Sequence, residues 1–225
     1  MRPPFPDFDG YLDRWAPPHG GWRPSGVFPL GWFRVTYALA LPLARFGVHP
    51  HVVTAFGLLL TAGVPLLALT KAAILVVPLL VCCGLADSVD GAVAVLTGRA
   101  SGFGAVLDSL CDRVGEALFL VALVVAGAPP WLAAPAALVA FLLEYVRARA
   151  AAVGMTGMGI VTVFERPSRI LVVAFTFVAV GGLRLTVHDG LSGVAATAGV
   201  ALWLALALAG LGQILHTVRS ALADR

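Results

Sequence analysis

The sequence predicts an all-α integral membrane protein, with six transmembrane helices and an N-terminal juxtamembrane amphipathic helix. Two observations carry this. Hydrophobic residues make up 60% of the 225 residues and charged residues only 12%, with a mean hydropathy of +0.94; a soluble domain averages about 25% charged. Stretches of about twenty apolar residues also follow one another, and each, as a helix, is long enough to cross a hydrocarbon core of roughly 30 Å.

The elements follow in order. Residues 1–30 are rich in proline, glycine and aromatics and lack the apolar core of a signal peptide, so an irregular segment near the membrane surface is expected. Residues 28–47 mix Arg34 and Arg45 with Trp32, Phe33, Tyr37, Leu39 and Leu43 and are interrupted by Pro42, which suits a helix lying in the interface. Pro50 opens the first span, 51–70, closed by Lys71. The second runs over 73–97, the third over 104–127, and Pro129-Pro130 turn into the fourth at 131–153. Pro167 begins the fifth, ending near Leu185, and the sixth covers 194–217. The chain therefore divides into an interfacial or cytoplasmic segment, 1–50, and one six-helix domain, 51–220, with no internal repeat.

Six spans put both ends on one side, and basic residues decide which. Thirteen of the fifteen lie on the terminal side: Arg2, Arg14, Arg23, Arg34, Arg45, Arg99, Arg113, Arg147, Arg149, Arg166, Arg169, Arg219 and Arg225, against Lys71 and Arg184. A multi-pass protein of the cell membrane with both termini cytoplasmic is expected. A net charge of +3 is too small to suggest nucleic-acid binding. Cys82, Cys83 and Cys111 form no zinc-type pair and are expected to be small core residues, and no HExxH motif points to intramembrane proteolysis.

Acidic residues inside the spans carry the chemistry. Asp87, Asp90, Asp108, Asp112 and Glu116 all fall in segments apolar enough to span. A charge in hydrocarbon costs several kcal/mol, about 3 at the helix centre on insertion scales, so such groups face polar cavities and serve a function. Asp87 and Asp90 are three apart, Asp108 and Asp112 four apart, and each spacing shares one helix face. The short loop between the two helices makes them antiparallel neighbours, so the pairs converge at one end. Four carboxylates in one cavity repel unless a cation joins them, and oxygen-only ligands select Mg²⁺, Mn²⁺ or Ca²⁺. A diphosphate substrate would complete the coordination. Two other readings remain open at this point: buried carboxylates paired with Arg99 and Arg113, and a cation or proton path through a small transporter.

Residues 87–112 read DSVDGAVAVLTGRASGFGAVLDSLCD. This resembles the signature of the CDP-alcohol phosphatidyltransferases, D-x2-D-G-x2-A-R-x8-G-x3-D-x3-D, with Asp87, Asp90, Gly91, Ala94, Gly104, Asp108 and Asp112 at the required spacing. The resemblance implies that Asp87, Asp90, Asp108 and Asp112 hold Mg²⁺ or Mn²⁺ and that Asp112 is the general base. It implies a CDP-diacylglycerol site formed by Thr54, Asp87, Gly91, Ala94, Ser101 and Gly104. Thr54 belongs to a Pro50-His51-Val52-Val53-Thr54 stretch resembling the family's P-N-x-x-T entry, with His51 in place of Asn. The family arginine after the alanine is Val95 here, and Arg99, one turn on, is placed to reach the same phosphates.

EYVRARAAAVG at 144–154 and FERPSR at 164–169 resemble segments of phosphatidylinositol-phosphate synthases, which implies an acceptor pocket of Arg147, Arg149, Arg166 and Arg169. Phosphatidylglycerol-phosphate synthases share parts of it, so the acceptor stays open among inositol phosphate, glycerol phosphate and other alcohols. Glu116 is read as a partner of Arg113 or as a further group behind the metal ligands, and Glu144 as a partner of an arginine of its own loop, the connection that carries Arg147, Arg149, Arg166 and Arg169. The family also implies a homodimer. A relative that binds a CDP-lipid without turnover, suggested by Val95, is a further alternative.

Overall fold

The structure, a computed structural model, describes residues 5–17, 21–155, 161–186 and 189–223. Arg2, His19, His188 and Arg225 lie outside them. Among the described residues eight α-helices account for the long elements: α1 (Phe8–Trp15), α2 (Val27–Arg45), α3 (Pro50–Ala68), α4 (Val76–Thr97), α5 (Gly102–Val125), α6 (Pro130–Ala152), α7 (Arg166–Arg184) and α8 (Ser192–Ala223). Prolines mark the starts: Pro50 opens α3, Pro130 opens α6 and Pro167 stands in the first turn of α7. There the missing amide N–H has no intrahelical partner to lose.

The chain is a multi-pass membrane protein. Among the described residues six helices are long and apolar enough to cross a bilayer: α2, α3, Ala73–Thr97 (α4 with the single 3-10 turn before it), α6, α7 and α8. This set differs from the predicted one at two helices. α2, expected to lie in the interface, reaches span length and hydropathy, because Pro42 stands in its final turn and does not interrupt it. α5, expected as the third span, is long enough at 24 residues but carries Asp108, Asp112, Arg113 and Glu116.

The chain divides into two compact units, Met1–Leu60 with Val81–Asp112, and Thr61–Leu80 with Arg113–Arg225. In the first, α1 corrects the expectation of an irregular N-terminus. Asp7 Oδ1 caps it by accepting from the Gly10 amide at 2.9 Å. Its Tyr11 and Leu12 are buried with Ala40, Ala44, Val53, Val89, Ala92, Val93 and Leu96. Trp15 meets Phe33 edge to face with centroids 4.8 Å apart, the Arg34 guanidinium lies 5.7 Å from the centre of the Phe8 ring, and the Tyr37 hydroxyl donates to the Pro6 carbonyl at 2.8 Å. The D-F-D-G-Y-L-D-R-W pattern held this signal: a capping Asp followed by apolar residues at helical spacing. α2 buries Thr36, Ala40 and Ala44 at four-residue intervals, and its Trp32 Nε1 donates to Ser88 Oγ on α4 at 3.0 Å.

In the second unit α6 and α7 pack on α8. α8 buries Ala196, Gly199, Val200, Trp203, Ala207, Gly210 and Ile214, a stripe at three- and four-residue steps made mostly of small side chains. A Cβ on Gly210 would sit 2.8 Å from Leu143 Cδ1, so α6 and α8 approach through that gap. Trp203 is fully buried there and meets Phe164 edge to face at 5.2 Å. The cysteines depart from expectation: Cys83 is buried, Cys111 half-buried and Cys82 exposed, and all are free thiols.

Candidate active site

The first unit gathers the carboxylates. One oxygen from each of Asp87, Asp108 and Asp112 lies within 4.8 Å of the others, and all three residues are half-buried. Helix geometry explains which aspartates meet. At about 100° per residue, Asp108 and Asp112 diverge by only about 40° on α5, while Asp87 and Asp90 diverge by about 60° on α4. Asp90 is buried, and its Oδ2 accepts a 2.6 Å hydrogen bond from Thr54 Oγ1 on α3. Three converging carboxylate oxygens fit a hard divalent cation, which would offset the repulsion between like charges this close.

Asp90 and Asp108 also line a pocket of about 240 Å³. Its floor is α4 and the start of α5, through Gly91, Ala94, Val95, Gly104 and Ala105; Pro50, His51 and Thr54 of α3 and the loop residues Arg99, Ala100 and Ser101 complete it. Gly91 is exposed, and a Cβ added there would meet no heavy atom within 4 Å, so its backbone is open to a ligand. Gly104 is confined: a Cβ there would stand 3.2 Å from Ser101 Oγ and 3.4 Å from His51 Nε2. Ser101 caps α5 by accepting from the Gly104 amide at 3.1 Å.

The second unit holds an ion-pair network. Arg169 is 1% exposed and donates to Glu116, to Glu144 at 2.6 Å, and to the Phe164 carbonyl at 2.9 and 3.1 Å. Arg113 pairs with Glu116 at 2.9 Å and Glu144 at 3.4 Å. Arg147 pairs with Glu144 at 3.2 Å and Glu165 at 2.7 Å. Three arginines thus meet three glutamates, with no net charge. Burial alone would raise the Glu165 carboxyl, but the Thr162 amide and hydroxyl and the Arg147 guanidinium outweigh it and hold the group below its ordinary value.

A family model described as CDP-alcohol phosphatidyltransferase matches residues 47–211. The chain belongs to this family. As a CDP-alcohol phosphatidyltransferase it is a divalent-metal-dependent membrane transferase of phospholipid biosynthesis. It is 34% identical over 205 residues to a phosphatidylinositol phosphate synthase of Mycobacteroides abscessus, covering 83% of this chain and 84% of that protein. Its structure is similar to the crystal structure of Mycobacterium tuberculosis phosphatidylinositol phosphate synthase with CDP-DAG bound, with a TM-score of 0.65 and 26% identity over 82% of this chain and 94% of that one. The same enzyme in complex with manganese and citrate gives a TM-score of 0.63 at 26% identity, over 81% and 88%.

Against the phosphatidyltransferase signature, the structure brings Asp87, Asp108 and Asp112 together and sets Asp90 against Thr54. Thr54, Gly91, Ala94, Arg99, Ser101 and Gly104 all line one pocket, whereas Asp87 is not among its lining residues. Of the four arginines read as an acceptor pocket, Arg147 and Arg169 are engaged in the ion-pair network, Arg149 is exposed and Arg166 is half-buried at the start of α7. Glu116 pairs with Arg113 and Glu144 with Arg147 and Arg169 of its own loop, as expected, while the pairing of Glu116 with Arg169 is one that sequence spacing did not suggest. Glu165, an anchor for Arg147 and Thr162, went unread; its place two residues before Pro167, at a helix N-terminus, was the available signal.

Proposed function

We propose that this phosphatidyltransferase uses CDP-diacylglycerol as donor and an inositol phosphate as acceptor, releasing CMP. One observation supports this above all: Asp108 belongs both to the converging carboxylates and to the glycine-floored pocket, so a ligand's diphosphate in the pocket reaches the metal ligands. The acceptor rests on the Mycobacteroides relative, which aligns over most of its length.

Asp87, Asp108 and Asp112, with Asp90 beside Thr54, hold Mg²⁺ or Mn²⁺. When bound there, the cation would supply positive charge against the diphosphate. Thr54, Asp87, Gly91, Ala94, Arg99, Ser101 and Gly104 hold the donor. Asp112 accepts the proton of the acceptor hydroxyl. The hydroxyl oxygen bonds to the β-phosphorus, the bond from that phosphorus to the CMP oxygen breaks, and CMP leaves with the electron pair. No covalent enzyme intermediate is needed. Arg149 and Arg166 meet the acceptor phosphate, a role suited to guanidinium forks, while Arg147 and Arg169 hold their segments in place.

Purified protein given CDP-diacylglycerol, Mn²⁺ and a panel of inositol phosphate, glycerol phosphate, inositol and serine is expected to release CMP with inositol phosphate and to form a lipid of matching mass. A chelator abolishes the release, and Mn²⁺ or Mg²⁺ restores it. Product with glycerol phosphate alone overturns the acceptor assignment. Donor binding without CMP under every acceptor marks a CDP-lipid-binding protein instead.

The charge bias supports a cell-membrane protein with both termini and the site cytoplasmic, and segment 1–50 leads a catalytic domain 51–220. The family resemblance supports a homodimer. Cysteines placed at either terminus are expected to resist an impermeant thiol reagent in intact cells, and cross-linking in membranes is expected to trap pairs. Labelling of both ends from outside overturns the topology.

A further inference from the structure

We infer that Arg99 is the fixed cation that grips the donor's diphosphate, so that this chain's pocket is built around a charge one helical turn beyond the signature's arginine position; the inference rests on the pocket being the donor site. Beside Asp90 and Asp108, the lining holds two basic side chains, His51 and Arg99. Of these, only the guanidinium is charged at every physiological pH and matches phosphate oxygens bidentately.

The backbone explains why the cation stands at 99. α4 ends at Thr97, and Gly98 takes φ +66°, the left-handed conformation that suits glycine. The Arg99 amide then donates to the Ala94 carbonyl at 2.9 Å and the Gly98 amide to the Val95 carbonyl at 3.3 Å. This pair of bonds is a Schellman closure, which folds the chain back over the last turn of the helix. Arg99 therefore lines the pocket beside Ala94. Val95 lines the pocket as well, but it is apolar and packs against the cluster that contains Tyr11 and Leu12, so the signature's arginine position brings no charge here. The Arg99 Nη1 donates to the Gly47 carbonyl at 3.2 Å, a neutral partner that orients the fork without cancelling its charge.

The test compares cytidine, CMP and CDP binding to the purified full chain in detergent with Mg²⁺, by calorimetry. Arg99→Ala is expected to weaken CDP binding roughly 10- to 100-fold and to leave cytidine binding unchanged. Arg99→Lys falls between, and Val95→Arg added to Arg99→Ala recovers part of the loss. Equal CDP affinity in wild type and Arg99→Ala overturns the inference, as does an equal loss for cytidine and CDP, which marks a merely structural residue. If wild type binds no cytidine nucleotide, the donor-site reading falls and this inference with it; if wild type binds CDP and Arg99→Ala binds it equally, this inference alone falls.

Discussion

Asp112→Asn is expected to lower kcat by about 10²- to 10⁴-fold, the range that one positioned general base contributes, while the protein stays folded. The same change, and Asp108→Asn, carries a second signature independent of turnover. The oxygens of Asp87, Asp108 and Asp112 converge within 4.8 Å. Without a divalent cation these charges repel, so removing one carboxylate raises the apparent Tm of the cation-free protein. With Mn²⁺ present the order reverses. Wild type gains stability by mass action, about 2.7 kcal/mol at a hundredfold excess over Kd, and the variants gain less. The measurement is thermal unfolding in detergent, with and without Mn²⁺, beside CMP release. An Asp108→Asn protein that keeps both the full Mn²⁺ shift and full kcat would show that these carboxylates do not form the metal site. Asp90→Asn separates the two roles of the carboxylates: because Oδ2 accepts from Thr54, its larger effect is expected on donor KM and its smaller one on the Mn²⁺ shift.

The spacing of Asp87, Asp90, Gly91, Gly104, Asp108 and Asp112 made the site legible because one helix end and the next helix start carry all of it, and local periodicity is what a sequence states most directly. The same holds for the proline-marked starts of α3, α6 and α7, each within about two residues of expectation. What stayed hidden depends on partners far apart in sequence. Thr54 and Asp90 are 36 positions apart, and the bond between them ties α3 to α4 beside the pocket. Arg169 and Glu116 are 53 apart, so the pairing of an arginine, read from its own segment as a phosphate ligand, with a buried glutamate on another helix was not legible. α1 was missed for another reason. Its capping Asp7 and buried Tyr11 stood within a proline- and glycine-rich stretch whose composition argued for a loop, yet packing against α2 outweighs that composition. α5 was legible as a helix because its charges interrupt an otherwise apolar run at fixed helical steps.

Arg169→Met is expected to destabilise the protein by about 3–5 kcal/mol, the cost of breaking a buried ion pair from one side. The side chain is almost wholly buried, and its loss takes from Glu116 and Glu144 one of the two cations they share and leaves the Phe164 carbonyl without two donors. Arg113 still faces both glutamates, so the network does not collapse to unpaired charge, and the lower half of that range is favoured. Adding Glu116→Gln to Arg169→Met removes one stranded charge and is expected to recover part of the loss, so the two changes couple by 0.5–3 kcal/mol, roughly the span seen for residues in one network. Replacing Arg169, Glu116 and Glu144 together by apolar residues of similar volume tests what the network is for. Such replacements are often neutral or stabilising by about 1–4 kcal/mol, so the triple variant is expected to fold. If the network also fixes the segments that carry Arg149 and Arg166, this stable variant shows a raised acceptor KM with little change in donor KM. Unchanged thermal stability in Arg169→Met would refute the network as a structural element. A normal acceptor KM in the stable triple variant would confine its role to folding.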